Sequence, residues 1–87
     1  MPNSVFLSRR AEKFFLGLRD EVLYRRLRAA VDGLAQNARP VGCVKLADAP
    51  DLYRVRVGDY RIIYQVKDAS LVVLVLSIGH RREIYRR

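Results

Sequence analysis

Two β-prone runs on either side of Gly58 and Asp59 constrain the fold of this 87-residue chain more than any other feature. In Tyr53–Val57 apolar and arginine side chains alternate strictly, which is the period of a strand with one buried face. Glycine accepts the positive φ of a tight hairpin turn, and aspartate hydrogen-bonds to its own backbone there. Tyr60–Val66 is then the returning strand, and the sequence predicts a two-residue β-hairpin.

A turn that tight fixes which side chains lie opposite each other. Val57 faces Tyr60, and Arg56 faces Arg61. Like charges directly opposite each other destabilise a sheet by on the order of a few tenths of a kcal/mol. Neither strand offers an acidic side chain on that face, so a bound polyanion would relieve the repulsion.

A third strand, Leu71–Ile78, is apolar on both faces and is predicted to lie in the centre of the sheet. It runs antiparallel to Tyr60–Val66, so its end returns beside Arg61. The side chains that follow it there are His80, Arg81, Arg82 and Tyr85. The sequence therefore predicts a basic cluster, with a histidine and a tyrosine inside it, at one end of the sheet.

The first half of the chain predicts a short strand and two amphipathic helices. Ser4–Leu7 is β-prone, and Ser8 after it is a suitable helix N-cap, as is Asp20 for the second helix. Val41–Leu46 is predicted as a short strand with Gly42 as a bulge. Apolar positions at helical spacing are Ala11, Phe14, Phe15 and Leu18, then Leu23, Leu27, Ala30, Val31 and Leu34.

This order, β-α-α-β-β-β, predicts an α+β fold in which an N-terminal strand and a helical hairpin pack on a mainly antiparallel sheet. A chain of this length rarely supports two cores, so we expect one domain over residues 1–87.

The charge balance points to an anionic partner. Seventeen Lys and Arg against nine Asp and Glu give a net charge of +8, which favours nucleic acid, an anionic membrane or an acidic protein. Most of the cations are arginines, whose planar fork suits phosphate. The arginines of the second helix, Arg25, Arg26 and Arg28, are predicted to form a solvated face.

Several classes of protein are disfavoured by what the sequence lacks. The single Cys43, the start without a signal-peptide pattern and the lack of an apolar run near ~20 residues predict a cytoplasmic protein that contacts no membrane. One histidine and one cysteine match no metal-ligand spacing, and no glycine-rich phosphate loop or nucleophile motif is present. We therefore expect no metal and no cofactor.

Nearly the whole chain resembles the RelE branch of the RelE/ParE toxin superfamily of toxin–antitoxin systems. The likeness is strongest in KLADAPDLYRVRVGDYRIIYQV and VVLVLSIGHRREIYRR. The hairpin YRVRVGDYRIIY is shared across the superfamily, whereas the ending GHRREIY is typical of the mRNA-cleaving branch.

The resemblance implies a type II toxin that acts as an mRNA interferase. Such a toxin is a ribosome-dependent endoribonuclease that cuts mRNA in the A site by attack of the 2′-hydroxyl on the adjacent phosphate, without a metal. Its partners would be mRNA, the ribosome and a cognate antitoxin that wraps and neutralises it. Operator DNA would be contacted only through the antitoxin.

The resemblance also implies roles for individual residues. Arg61 and Arg81 would be catalytic, stabilising the phosphate as charge develops, and Tyr85 would act as base or orient the 2′-hydroxyl. Arg54 and Arg56 replace lysines of the founding members and would clamp the RNA backbone, since arginine is a poor proton shuttle. His80 and Arg82 complete the predicted RNA-binding set, His80 being a second candidate acid. The segment from Arg81 to Tyr85 is shorter than in the founding members.

Two other functions fit the same residues. One is a ParE-type inhibitor of DNA gyrase, which uses the same fold without nuclease chemistry. The other is a catalytically silent RNA- or ribosome-binding module, in which the basic face binds but Tyr85 does no chemistry.

Overall fold

The computed structural model describes residues 2–47 and 49–80. Their helices and strands are β1 (Ser4–Leu7), α1 (Arg9–Gly17), α2 (Glu21–Gly33), β2 (Val44–Lys45), β3 (Leu52–Val57), β4 (Tyr60–Lys67) and β5 (Val72–His80). The strands form one sheet in the order β1-β5-β4-β3-β2, in which β1 runs parallel to β5 and the other neighbours are antiparallel. The predicted α+β fold is confirmed. Within the described residues, no helix is long and apolar enough to cross a membrane.

Both helices begin at the predicted caps. The Ser8 hydroxyl accepts a hydrogen bond from the Ala11 amide at 3.1 Å and donates one to the Leu76 carbonyl at 2.6 Å, which ties the start of α1 to β5. The Asp20 carboxylate accepts a hydrogen bond from the Leu23 amide at 3.0 Å at the start of α2. The caps therefore set both the start of each helix and the position of α1 on the sheet.

The core lies between the two helices and one face of the sheet, because α1 packs on β5 and α2 on β3. The buried helix residues, Ala11, Phe15, Leu27 and Val31, and the buried Leu34 directly after α2 all come from the predicted apolar stripes. On the sheet, Tyr64 is fully buried and its hydroxyl donates to the Ala38 carbonyl at 2.8 Å. Burial raises the pKa of this phenol, so Tyr64 is a neutral structural residue.

The last described strand differs from its prediction at both ends. Leu71 has a left-handed φ of 54° and closes the turn before β5, so the strand begins at Val72 rather than at Leu71. It also continues past Ile78 to His80, because its ladder with β4 continues to the first residue of β4. Pairing skips Leu76, which forms a β-bulge.

The strand predicted over Val41–Leu46 is much shorter than expected. Only Val44–Lys45 pairs with β3, and Val41 and Gly42 lie in a turn. Gly42 has a φ of 91°, so this glycine serves the turn and is not a bulge.

The end of the sheet away from the β3–β4 turn is closed by a cluster that the sequence did not predict. The Arg39 guanidinium donates two hydrogen bonds to the Asp68 carboxylate, at 2.8 and 3.1 Å, and one to the Tyr53 hydroxyl at 3.0 Å. The ion pair raises the pKa of Arg39 and lowers the pKa of the Asp68 carboxyl. The cluster joins the loop after α2 to the turn between β4 and β5.

Candidate functional site

The predicted hairpin register is confirmed. Arg56 pairs with Arg61, Val57 with Tyr60, and the glycine of the turn, Gly58, has a φ of 59°. Two arginines therefore lie directly opposite each other on neighbouring strands, where their charges repel.

These arginines lie on the outer face of the sheet, which we define as the face away from the helices. Val55 and Ile62 form a neighbouring pair and are buried under the helices, so the alternate positions Arg54, Arg56 and Arg61 project to the other side. On β5 the residue paired with Arg61 is Gly79, which adds no side chain to this face. Arg54 and Arg61 are half-buried and Arg56 is exposed.

The side chain of Arg56 is anchored at the turn. Its Nε donates a hydrogen bond to the Gly58 carbonyl at 2.8 Å. This bond directs the guanidinium towards the turn rather than across the sheet towards Arg61, which moderates the repulsion between the two cations. Arginine stays protonated at any pH at which the protein folds, so both groups supply fixed positive charge.

His80 reaches the predicted end of the sheet but on the opposite face. It pairs with Tyr60, and the two rings meet edge to face with centroids 5.5 Å apart. Tyr60 in turn contacts Phe14 of α1, with centroids 6.1 Å apart, which places this pair on the helix side. His80 thus lies at the expected end of the sheet, but its ring does not share a face with Arg56 and Arg61.

The other predicted site residues, Arg81, Arg82 and Tyr85, lie outside the described residues. Their placement at the site stays a prediction. Among the described residues, no group of three or more His, Cys, Asp or Glu side chains is arranged to hold a metal ion.

The prediction missed one arginine at this end of the sheet. The Arg26 guanidinium, from α2, lies over the turn: a Cβ at Gly58 would stand 3.4 Å from Arg26 Nη2. Its neighbours on α2 differ, because Arg25 pairs with Glu21 and Arg28 with Asp32. The sequence carried a signal for this difference. Arg25 and Arg28 each have a carboxylate four residues away, whereas the residues four away from Arg26 are Val22 and Ala30.

A second surface lies on the opposite side of the molecule from the outer face. A cleft of about 440 Å³ lies between the end of β1 and the two helices. Its lining residues are Leu7, Glu12, Phe15, Leu16, Tyr24 and Arg28. Leu16 at its rim is 86% exposed, and Arg28 stacks over the Phe15 ring at 5.5 Å. The cleft combines exposed apolar area with a cation.

Comparison with known proteins gives the family. A family model described as ParE toxin of type II toxin-antitoxin system, parDE, matches residues 5–85. Toxin RelG of Mycobacterium tuberculosis is 28% identical over 87 residues, covering 100% of both chains. The mRNA interferase toxin RelE of Escherichia coli is 42% identical over 45 residues, which is 47% of each chain.

Solved structures agree with this assignment. A chain of the archaeal RelE–RelB complex from Pyrococcus horikoshii OT3 has a TM-score of 0.80 at 31% identity, covering 93% of this chain and 97% of that chain. The isolated E. coli RelE toxin has a TM-score of 0.77 at 28% identity, covering 90% of this chain and 83% of that chain. The chain therefore belongs to the RelE/ParE superfamily, the toxins of type II toxin–antitoxin systems, and is RelE-like within it.

Proposed function

We propose that this protein is a single-domain, ribosome-dependent mRNA interferase, which acts in the cytoplasm and cuts mRNA in the A site. The observation that carries the proposal is the opposed pair Arg56 and Arg61 on the outer face, with Arg54 at the neighbouring outer-face position of β3, two residues before Arg56. A sheet does not gain stability from such a pair, whereas a bound phosphate backbone turns the repulsion into binding energy.

The reaction needs little beyond position and charge. The 2′-hydroxyl gives its proton to a base as its oxygen attacks the adjacent phosphorus, the bond from phosphorus to the 5′-oxygen breaks, and the 5′-oxygen takes up a proton. The products are a 2′,3′-cyclic phosphate and a 5′-hydroxyl. Fixed cations at the phosphate stabilise the charge that develops there, and removing one such donor typically slows a reaction by about 10²–10³-fold.

We assign the roles by rigidity and chemistry. Arg61 is half-buried in β4, between β3 and β5, and is thus held firmly beside the phosphate, while the more exposed Arg56 and its neighbour Arg54 hold the flanking backbone. Arginines do not shuttle protons, so proton transfer falls to Tyr85, with Arg81 as the second catalytic cation. His80 faces the helix side, so we assign it an RNA contact at the rim of the outer face. Arg82, which lies outside the described residues, keeps the RNA-binding role proposed from the sequence.

We also propose that an antitoxin neutralises the toxin through the apolar cleft beside Leu16 and Tyr24. Among the similar structures, one is a RelE–RelB complex from P. horikoshii and another is the RelBE toxin–antitoxin complex of E. coli. An acidic amphipathic segment fits here, because its apolar side chains would cover Leu16 and its carboxylates would complement a chain of net charge +8.

The test is the fate of transcripts after brief induction. We expect cuts within translated coding sequences, with downstream fragments that begin with a 5′-hydroxyl, and translation should stop. Arg61→Ala and Tyr85→Phe should each reduce single-turnover cleavage on programmed ribosomes by about 10²-fold or more. Arg25→Ala is the matched control, since it removes one exposed arginine that is paired with Glu21.

A ParE-type gyrase inhibitor is the alternative, and the description of the matching family favours it. Intact transcripts together with induction of the DNA-damage response would establish this alternative and refute the nuclease. Ribosome binding without any cleavage would instead indicate a silent binding module.

A further inference from the structure

The turn between β3 and β4 lies between two guanidinium groups. Arg56 reaches its carbonyl from the outer face, and Arg26 lies over Gly58 from α2 on the helix side. Arg26 Nη2 lies 3.4 Å from the position that a Cβ at Gly58 would occupy, which is van der Waals distance. The positive surface thus does not end at the edge of the sheet but continues around the turn onto α2.

Arg26 differs from the other arginines of α2 in having no acidic partner among residues 2–47 and 49–80. Arg25 donates to Glu21 at 3.0 Å and Arg28 lies 3.5 Å from Asp32, whereas Arg26 forms no ion pair or hydrogen bond with the described residues. The carboxylate nearest in sequence to Gly58, Asp59, forms no ion pair with Arg26 either. Arg26 is exposed, so its full charge faces solvent.

The surroundings of Arg26 favour phosphate over an acidic protein segment. Protein interfaces centre on buried apolar or aromatic anchors. Of the exposed large apolar side chains in the described residues, Val22 lies one helical turn from Arg26, and Leu16 and Tyr24 line the cleft described above. An exposed guanidinium that forms no ion pair with the described residues suits the backbone of an RNA.

We propose that Arg26 binds a phosphate of a second RNA segment, distinct from the strand on the outer face, so that the toxin grips RNA on both sides of the β3–β4 turn. This inference rests on the proposed function, in which RNA lies along Arg54, Arg56 and Arg61. It predicts that affinity depends on a residue of α2 that is remote from the reacting phosphate.

The test measures binding without cleavage. Four proteins are compared: wild type, Arg26→Ala, Arg26→Lys and Arg25→Ala. Each is titrated at several salt concentrations onto ribosomes whose A-site codon carries 2′-O-methyl groups, and onto a plain RNA duplex. Arg26→Ala should weaken binding to the ribosomes on the order of tenfold and reduce the slope of log affinity against log salt by about 0.7–0.9. Arg26→Lys should keep the slope but lose part of the affinity, because lysine keeps the charge without the fork.

Arg25→Ala should leave both affinity and slope at the wild-type values, and all variants should melt at the wild-type temperature. If Arg26→Ala and Arg25→Ala have the same ribosome affinity and the same salt slope, the proposal is overturned. If Arg26→Ala binds RNA as well as wild type but binds the antitoxin more weakly, the proposal is also overturned, because Arg26 then contacts a protein and not RNA. Wild-type protein that binds but does not cleave unmodified mRNA would refute the nuclease, while the slopes would still decide the role of Arg26. Wild-type protein that binds neither RNA would refute both.

Discussion

Arg56 forms a hydrogen bond within the protein, and yet we expect it to contribute little to the stability of the fold. Its repulsion with Arg61 weakens the sheet by roughly a few tenths of a kcal/mol, and its exposed hydrogen bond to the Gly58 carbonyl contributes about 0.5–1 kcal/mol in the other direction. The two effects nearly cancel. The position is therefore available for binding with little consequence for folding.

We accordingly predict that Arg56→Ala changes the free energy of unfolding by no more than about 0.5 kcal/mol while ribosome-dependent cleavage falls. Chemical denaturation and single-turnover cleavage, measured on the same preparation, check this. Loss of stability in proportion to loss of activity would mean that Arg56 holds the hairpin together. Arg25→Ala should change neither quantity.

At the scale of elements, what the sequence could predict was local. The hairpin register followed from Gly58 and Asp59, because a two-residue turn leaves no freedom in the pairing. The end of β5 could not be predicted in this way. The bulge at Leu76 and the pairing of His80 with Tyr60 depend on the neighbouring strand and not on the periodicity of β5 itself. For the same reason the sequence did not show on which face of the sheet His80 lies.

Contacts between distant elements were likewise invisible in the sequence. Arg39 meets a carboxylate 29 residues away, and Arg26 meets the turn at Gly58 through the packing of α2 on β3. No sequence pattern predicts either contact, because both depend on how the helices and strands pack. The missing carboxylate four residues from Arg26 was the one local hint.

The cluster of Arg39, Asp68 and Tyr53 predicts a pH-dependent stability. The paired Arg39 lowers the pKa of Asp68 below its unfolded-state value of about 3.9, so the stabilisation is present above that value and is lost as the pH falls through the folded-state pKa. Asp68→Asn should therefore lower the melting temperature near neutral pH, and the difference from wild type should shrink below about pH 4.

Thermal melts of both proteins across this range measure the effect. Asp51→Asn is the control, because Asp51 is exposed and forms no ion pair with the described residues. A difference between Asp68→Asn and wild type that stays constant down to acid pH would show that the carboxylate charge is not what stabilises the loop after α2.

On the scale of the whole molecule, charge and apolar area are divided between different surfaces. The outer-face arginines occupy one side of the sheet, whereas the cleft at Leu16 and Tyr24 lies on the helix side. The net charge of +8 is visible in the sequence, but its distribution is not, because pairing with Glu21, Asp32 and Asp68 neutralises particular arginines on α2 and at the far end of the sheet. The proposed RNA and antitoxin sites thus lie on separate parts of one small protein.

This division predicts that the two partners can be uncoupled by one substitution on each surface. Leu16→Glu places a charge in the apolar cleft, at a side chain that is 86% exposed, so folding should be almost unaffected while the antitoxin loses an apolar contact and meets a like charge. Arg61→Ala should do the reverse, weakening cleavage while the cleft stays intact. Co-expression with the proposed cognate antitoxin measures both effects. Leu16→Glu should remain toxic in its presence, with antitoxin affinity reduced about tenfold or more. Arg61→Ala should be harmless yet still copurify with the antitoxin. If Leu16→Glu is neutralised as completely as wild type, the antitoxin binds elsewhere, and the basic outer face becomes its site in competition with RNA.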